Sequence, residues 1–265
     1  RGSFASERMK SRRGAASGTL RAPPQATIRD SAILGIVAGG DSSAPNGYKE
    51  MTIPTASTPS FHPRMGTVYA IANQKGGVGK TTTAVNVAAA LARQGLQVLV
   101  IDLDPQGNAS TALGIEHRQG TPSSYEVLIG EIPLHDALQR SPHNESLFCV
   151  PATIDLAGAE IELVSMVARE GRLRTALMEL KQHSFDYVFI DCPPSLGLLT
   201  INALVAAPEV LIPIQCEYYA LEGVGQLLRN IEMVKSHLNP ELDVTTFILT
   251  MYDGRTRLAD QVSAD

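Results

Sequence analysis

Tryptophan is absent from the 265-residue chain, and aromatic residues make up only 5% of it. So few aromatic side chains argue against a surface that binds nucleic-acid bases by stacking. Cysteine is also scarce, with three residues at unpaired spacings. This number excludes a disulfide scaffold and favours the reducing environment of the cytoplasm.

Uninterrupted apolar runs of membrane-spanning length are missing as well. The apolar stretch 196–214 contains Asn202 and Pro208, so it predicts a buried helix followed by a buried strand. A second apolar stretch, 31–40, is short and lies far from the arginines that precede it, which argues against an export signal. We therefore expect no transmembrane segment.

Charge divides the chain into two parts. Residues 1–66 carry nine Lys or Arg against four Asp or Glu, are rich in Gly, Ser, Ala, Pro and Thr, and predict a disordered basic tail. Residues 67–265 carry a net charge of −10, which excludes a uniformly basic nucleic-acid-binding body. The length of the whole chain suits one large α/β domain or two small ones, and its 44% apolar content is enough for a sizeable buried core.

Short apolar runs alternate with helical patterns along residues 67–265, which is typical of a parallel sheet flanked by helices. We predict strands at 68–72, 98–101, 147–150, 187–190, 210–214 and 244–249, and helices at 80–94, 156–167, 172–181, 198–206 and 221–237. The predicted fold is a doubly wound, mostly parallel sheet with helices on both faces.

A glycine-rich run lies between the first predicted strand and the first predicted helix. It reads Lys75-Gly76-Gly77-Val78-Gly79-Lys80-Thr81-Thr82. In this context glycines let backbone N–H groups approach phosphate oxygens, and the following helix adds its positive end. Lys80 is placed to reach β- and γ-phosphates, and the Thr81 hydroxyl to ligate Mg²⁺. The run predicts a phosphate-binding loop.

Acidic residues end two of the predicted strands. Asp102 and Asp104 are two residues apart after the second strand, so one is suited to bind a metal-bound water and the other to orient an attacking water; a helix-capping or turn role for Asp104 is the alternative. Asp191 follows four apolar residues, a pattern that predicts Mg²⁺ binding through water. Cys192 is predicted to be a small packed residue rather than a nucleophile.

The loop differs from the standard phosphate-loop motif, because Gln74 stands where that motif has its first glycine and Lys75 adds a second lysine. This arrangement resembles the deviant Walker A motif of the ParA/MinD family of P-loop ATPases. The resemblance implies that Lys75 reaches the nucleotide of a second subunit, and hence an ATP-dependent sandwich dimer. An added cation at the γ-phosphate would stabilise charge in the transition state.

Further stretches extend the resemblance over residues 67–260 to ParA/Soj chromosome- or plasmid-partitioning ATPases. They are residues 102–108, 151–160, 191–202, 215–223 and 249–256. The resemblance implies slow hydrolysis of ATP with Mg²⁺, non-specific DNA binding by the dimer, stimulation by a ParB-type partner, and a cytoplasmic, nucleoid-associated protein. Family members usually continue beyond this point, so the resemblance also implies truncation at the C-terminus.

The resemblance assigns roles to individual residues. It favours Asp104 for orienting the attacking water and Asp102 for the magnesium shell, and it places Arg255 in a region that contacts DNA. Arg257 lies in the same predicted loop, and an ordinary solvated loop charge is the alternative for both arginines. Met251 is a weak candidate for contact with adenine.

Two other functions remain compatible with these residues. One is a ParA-like positioning ATPase for a different cargo. The other is a nucleotide-binding module that does not turn over its ligand.

Overall fold

The computed structural model describes residues 36–37, 66–180, 184–215 and 220–252. All of them lie in one structural unit, residues 34–265. Two residues of the predicted disordered tail, Ile36–Val37, form a short strand. The rest of the tail lies outside the described residues, so its disorder stays a prediction.

Eight strands form one sheet within the described residues. They are β1 (Ile36–Val37), β2 (Thr67–Ile71), β3 (Val98–Asp102), β4 (Gln139–Arg140), β5 (Leu147–Val150), β6 (Tyr187–Asp191), β7 (Glu209–Gln215) and β8 (Asp243–Thr250). Their order across the sheet is β1-β8-β7-β2-β6-β3-β5-β4. The six central strands run parallel, and only β1 and β4 at the two edges pair antiparallel. The predicted, mostly parallel sheet is confirmed.

Seven α-helices connect these strands in the described part of the chain. They are α1 (Lys80–Ala92), α2 (Asn108–Ala112), α3 (Ser124–Ile129), α4 (Leu156–Val164), α5 (Arg172–Glu179), α6 (Leu198–Ala206) and α7 (Ala220–His237), with short 3₁₀ turns at Leu134–Ala137 and Arg169–Gly171. Every helix and strand predicted from the sequence is present, with ends that shift by a few residues.

Two of the helices, α2 and α3, are absent from the sequence-based prediction. Both are too short to show a helical period of apolar residues. α3 nevertheless carries a recognisable start signal, because Ser123 and Glu126 form a reciprocal capping box. Its end is marked by Gly130 at φ 82°.

Helices cover both faces of the sheet, as predicted. Alternate residues of β3 show the division. Val98 and Val100 belong to the buried cluster that includes residues of α1 and α2, whereas Leu99 and Ile101 belong to the cluster that includes residues of α3 to α7. All four are fully buried. A strand buried on both sides has no polar face, which explains its continuous apolar run.

The apolar stretch 196–214 forms α6 and most of β7, so its interpretation as a buried helix followed by a buried strand is confirmed. In the parts of the chain that the structure describes, none of the helices combines the length and apolarity needed to cross a membrane.

Candidate functional site

The glycine-rich loop lies between β2 and α1, as predicted. Gly77 has φ 74° and Gly79 has φ 90°, backbone conformations that residues with a Cβ rarely adopt. Gly79 also caps α1, and its carbonyl accepts the Thr83 N–H at 2.8 Å. A Cβ at Gly76 or Gly77 would meet no atom within 4 Å. The backbone of the loop therefore faces open space where a ligand can approach closely.

Lys80, the first residue of α1, is buried although it is charged, with 7% of its surface exposed. Its Nζ donates to the Lys75 carbonyl at 3.3 Å, which turns the ammonium back over the loop. Burial lowers the pKa of Lys80, and the negative charge of Asp191 opposes this shift. A buried ammonium above open backbone N–H groups is suited to bind phosphate.

A buried asparagine ahead of the loop was missed by the sequence analysis. Asn73 lies two residues after the end of β2, directly after the strand predicted at 68–72, and is 5% exposed. Its Oδ1 accepts the Lys75 N–H at 2.9 Å, and its Nδ2 donates to the Pro213 carbonyl of β7 at 2.7 Å. Asn73 thereby fixes the backbone of Lys75 to a neighbouring strand. The available signal was a polar residue right after a buried strand, the same signal that identified Asp102 and Asp191.

Asp191 ends β6 beside the loop, and its register partners are Ile71 of β2 and Asp102 of β3. It is fully buried, and neither carboxylate oxygen has a hydrogen-bond partner. Burial, followed by the charge of Asp102, raises the pKa of Asp191 to about 7, against the opposing effects of the Thr81 hydroxyl and Lys80. The hydroxyl is near enough to affect the pKa but does not satisfy the carboxylate in hydrogen-bond geometry. An unpaired buried carboxylate is costly unless a cation accompanies it.

Asp102 is equally buried but is held by donors of the protein. Its Oδ2 accepts the N–H and the hydroxyl of Ser110 at 2.9 and 2.7 Å, and its Oδ1 accepts the Asp104 N–H at 3.1 Å. These bonds occupy three of about four acceptor sites of a carboxylate. Burial raises the pKa of Asp102 while the Ser110 bonds lower it. The structure brings Asp102 into the site, and its magnesium role stays a prediction.

Asp104 is partly exposed, unlike the other two aspartates. Its Oδ1 accepts the Gln106 N–H at 3.0 Å, which forms a turn just before α2. The turn role that was the alternative for Asp104 is therefore present, and the second oxygen is left for another partner. The negative charge of Asp104 reaches both Lys80 and Asp191.

The donors at this site fit a magnesium ion that is shared with a phosphate ligand. No group of three or more His, Cys, Asp or Glu side chains suited to a metal occurs among the described residues. Mg²⁺ commonly takes one or two carboxylates and completes its shell with phosphate oxygens and water. Asp191, with two unpartnered oxygens, and the neighbouring Thr81 hydroxyl supply such a partial shell.

Strand β8 ends against the same loop, a contact that the sequence did not show. The Thr250 hydroxyl donates to the Val78 carbonyl at 2.8 Å. Met251, the weak candidate for adenine contact, follows at φ 53° with 62% of its surface exposed. Arg255 and Arg257 lie outside the described residues, so their DNA contacts stay predictions.

Cys192 is 1% exposed, and burial strongly raises the pKa of its thiol. A thiol that resists ionisation is a poor nucleophile. The prediction that Cys192 is a packed residue is confirmed.

Comparisons with known proteins find relatives over most of residues 66–244. A family model described as an AAA domain matches residues 66–244. The sporulation initiation inhibitor protein Soj of Bacillus subtilis is 54% identical over 198 residues, which are 75% of this chain and 78% of Soj. The chromosome partitioning protein ParA of Myxococcus xanthus is 53% identical over 198 residues, 75% of this chain and 69% of ParA.

Solved structures show the same fold. A protein of Mycobacterium smegmatis described as cobyrinic acid a,c-diamide synthase, with bound ADP and magnesium, has a TM-score of 0.71 at 47% identity, covering 76% of this chain and 81% of that one. An ATP complex of a Cyanothece McdA variant has a TM-score of 0.70 at 26% identity, covering 75% and 77%. The phosphate loop with two lysines, the aspartates beside it, and relatives above 50% identity lead to one conclusion: the chain belongs to the ParA/Soj family of chromosome partitioning proteins.

Proposed function

We propose that this protein is an ATP-dependent, dimerising switch ATPase for chromosome or plasmid segregation. The observation that carries the proposal is Asp191, a buried carboxylate without a partner, beside a phosphate loop that holds the buried Lys80. A magnesium nucleotide would match both charges, because Asp191 suits the cation and Lys80 suits the phosphates. The ADP and magnesium in the related M. smegmatis structure support the same ligands for this chain.

Each residue of the site has its own role in ATP hydrolysis. Loop N–H groups and Lys80 hold the β- and γ-phosphates, and Thr81 with Asp191 holds the magnesium ion. When bound, this ion neutralises charge that develops on the phosphate oxygens. Asp104, through its remaining oxygen, orients the attacking water, while Asp102 keeps the Asp104 backbone in place at 3.1 Å. We expect basal turnover by one subunit to be slow, because Lys75 acts on the nucleotide of the facing subunit.

Lys75 gives the site its dependence on a second subunit. Asn73 accepts the Lys75 N–H and so fixes the Lys75 backbone. Lys75 itself is partly exposed at the mouth of the loop. A lysine at this place adds positive charge at the γ-phosphate of a facing subunit, in the manner of an arginine finger. ATP then acts as the link between two copies, and hydrolysis releases them.

Segregation follows from what the dimer binds. The name of the M. xanthus relative, chromosome partitioning protein ParA, supports a role in chromosome partitioning. We extend this role to non-specific binding of nucleoid DNA through Arg255 and Arg257, and to stimulation by a ParB-type partner in the cytoplasm. Such DNA contacts are phosphate-directed, so each arginine lost lowers the slope of affinity against salt by about 1.

Sedimentation velocity with Mg²⁺–ATP tests the dimer. The wild-type protein is compared with Lys75→Ala, Asp104→Ala and the control Lys235→Ala. Lys235 pairs with Asp243, the first residue of β8, at the end of that strand opposite the phosphate loop. We expect wild type and Lys235→Ala to dimerise with ATP, Asp104→Ala to remain dimeric for longer, and Lys75→Ala to stay monomeric while still binding nucleotide. Monomers in every sample would contradict the switch.

Phosphate release separates the proposal from the alternatives. ATP turnover that rises with DNA and a ParB-type protein supports partitioning. Turnover without a response to either favours a positioning ATPase for another cargo. Nucleotide binding with no phosphate release in the wild type favours a binding module.

A further inference from the structure

The last residue of β8 touches the phosphate loop although it lies more than 170 residues away in sequence. Thr250 is half-buried, and its hydroxyl donates to the Val78 carbonyl at 2.8 Å. Its methyl group occupies the space beside Gly79, since a Cβ there would lie 3.3 Å from Thr250 Cγ2. One side chain therefore bonds to Val78 and fills the space beside the Cα of Gly79.

The hydrogen bond decides which way this peptide faces. A trans peptide is planar, and its carbonyl and N–H point in opposite directions. Because Thr250 holds the Val78 carbonyl on the β8 side, the Gly79 N–H points away from β8. With the peptide reversed, a carbonyl oxygen would replace this N–H and would repel a phosphate oxygen. Gly79, at φ 90°, has the conformational freedom to permit such a reversal.

The position of Thr250 is itself determined by the sheet. It pairs with Gln215 at the end of the parallel β7–β8 ladder. The next residue, Met251, has φ 53°, a conformation that is uncommon without glycine and turns the chain away from the strand. Thr250 is thus the final ladder residue, placed where its side chain reaches the loop.

We propose that Thr250 is a positioning residue of the nucleotide site, which holds the Val78–Gly79 peptide with its N–H directed at the phosphates. This inference rests on the proposed function, because it needs a phosphate ligand in the loop. It extends the site to β8, a strand outside the phosphate-loop motif. Preorganisation of this kind raises affinity, since a loop that is only partly in the competent conformation binds in proportion to that fraction.

Two substitutions separate the hydroxyl from the shape of the side chain. Thr250→Val keeps the branched shape and removes the donor, whereas Thr250→Ser keeps the donor and removes the methyl. Thr245→Val is the matched control, because Thr245 lies on the same strand. Its hydroxyl donates to Glu209 at 3.1 Å, near the amino-terminal ends of β7 and β8 and away from the phosphate loop. Urea unfolding without nucleotide checks that each variant is folded.

Isothermal titration with Mg²⁺–ADP and with a non-hydrolysable ATP analogue gives the affinities. We expect Thr250→Val to bind about 2- to 12-fold more weakly, the range that corresponds to loss of one net hydrogen bond. Thr250→Ser and Thr245→Val should bind within about twofold of wild type. If Thr250→Val does not fold, Thr250→Ala replaces it as the variant without a donor.

Two results would overturn the inference alone: wild-type affinity in the donor-free variant, or an equal loss in Thr250→Ser. Failure of the wild-type protein to bind either nucleotide would overturn the proposed function and the inference together. A stability loss in Thr250→Val with unchanged nucleotide affinity would show a merely structural contact.

Discussion

Replacing Asp191 by asparagine should stabilise the unliganded protein and at the same time abolish its function. Asp191 is fully buried, without hydrogen-bond partners, and its pKa is raised from 3.8 to about 7. Each unit of pKa difference corresponds to about 1.4 kcal/mol, so ionised Asp191 lowers the free energy of unfolding by about 4 kcal/mol above pH 7. The asparagine amide is also unsatisfied there, at a cost of about 1–3 kcal/mol. The expected net gain at pH 8 is about 1–3 kcal/mol.

The sign of the pH dependence follows from the raised pKa. Between about pH 4 and pH 7 the folded protein keeps a proton that the unfolded chain has released. The wild-type protein therefore loses stability as the pH rises through this window. Asp102, whose pKa is also raised by burial, contributes in the same direction. Asp191→Asn removes one of these two contributions, so its stability should fall less over the same range.

Urea unfolding in the absence of Mg²⁺ and nucleotide, at pH 5 and pH 8, measures both effects. Asp104→Asn is the matched control, because it removes the same charge from a partly exposed aspartate of the same site. It should change the free energy of unfolding by less than about 0.5 kcal/mol. An Asp191→Asn protein that is no more stable than wild type at pH 8 would refute the reasoning, as would an unchanged difference between the two pH values. Isothermal titration should show that the variant no longer binds nucleotide in a Mg²⁺-dependent way.

Three further predictions concern packing and access. Gly107→Ala should lower the free energy of unfolding by about 1–3 kcal/mol. Gly107 has φ 62°, and a Cβ there would press on a histidine ring and a backbone carbonyl. An unchanged midpoint of urea unfolding would contradict this prediction. Asn202→Ala should cost about 2–4 kcal/mol, since it removes the three hydrogen bonds that this fully buried side chain makes with backbone groups. Asn86→Ala on the exposed face of α1 should cost less than about 0.5 kcal/mol, and equal costs would contradict the account. Iodoacetamide at pH 8 should label Cys149 and Cys192 only in urea, because both thiols are buried and burial raises their pKa. Peptide mass spectrometry reads the labelling, and rapid labelling of the native protein would show that the thiols are accessible to solvent.

Elements with a strong local signal were predicted well. The strand Leu147–Val150 and the helix Leu198–Ala206 have the same bounds in the sequence-based prediction and in the structure. Long apolar runs and helical periods are local properties of the sequence, so they can be recognised before the fold is known. Short α2 and the edge pairing of β1 with β8 depend on what they pack against, and no local pattern indicated them.

The chemistry of the site shows the same division. The glycines and lysines of residues 75–82 identified the phosphate loop, because this chemistry is contained in one continuous segment between a strand and a helix. Asp102 and Asp191 were identified for a related reason, since carboxylates after parallel strands meet at one edge of the sheet. Their difference was not visible in sequence: Asp102 accepts three hydrogen bonds, whereas neither carboxylate oxygen of Asp191 has a hydrogen-bond partner.

The fold class, the phosphate loop and the family could be predicted from the order of residues alone, because each rests on residues that are adjacent or regularly spaced along the chain. Which polar groups are satisfied became visible only in the folded chain. Asn73 reaches Pro213 of β7, and Thr250 reaches Val78 across the sheet, through contacts 140 and 172 residues apart. The order β8-β7-β2 brings these strands together, and no pattern in a single sequence encodes that order. The physical reason is that burial and hydrogen bonding depend on neighbours in space, which only the assembled sheet supplies.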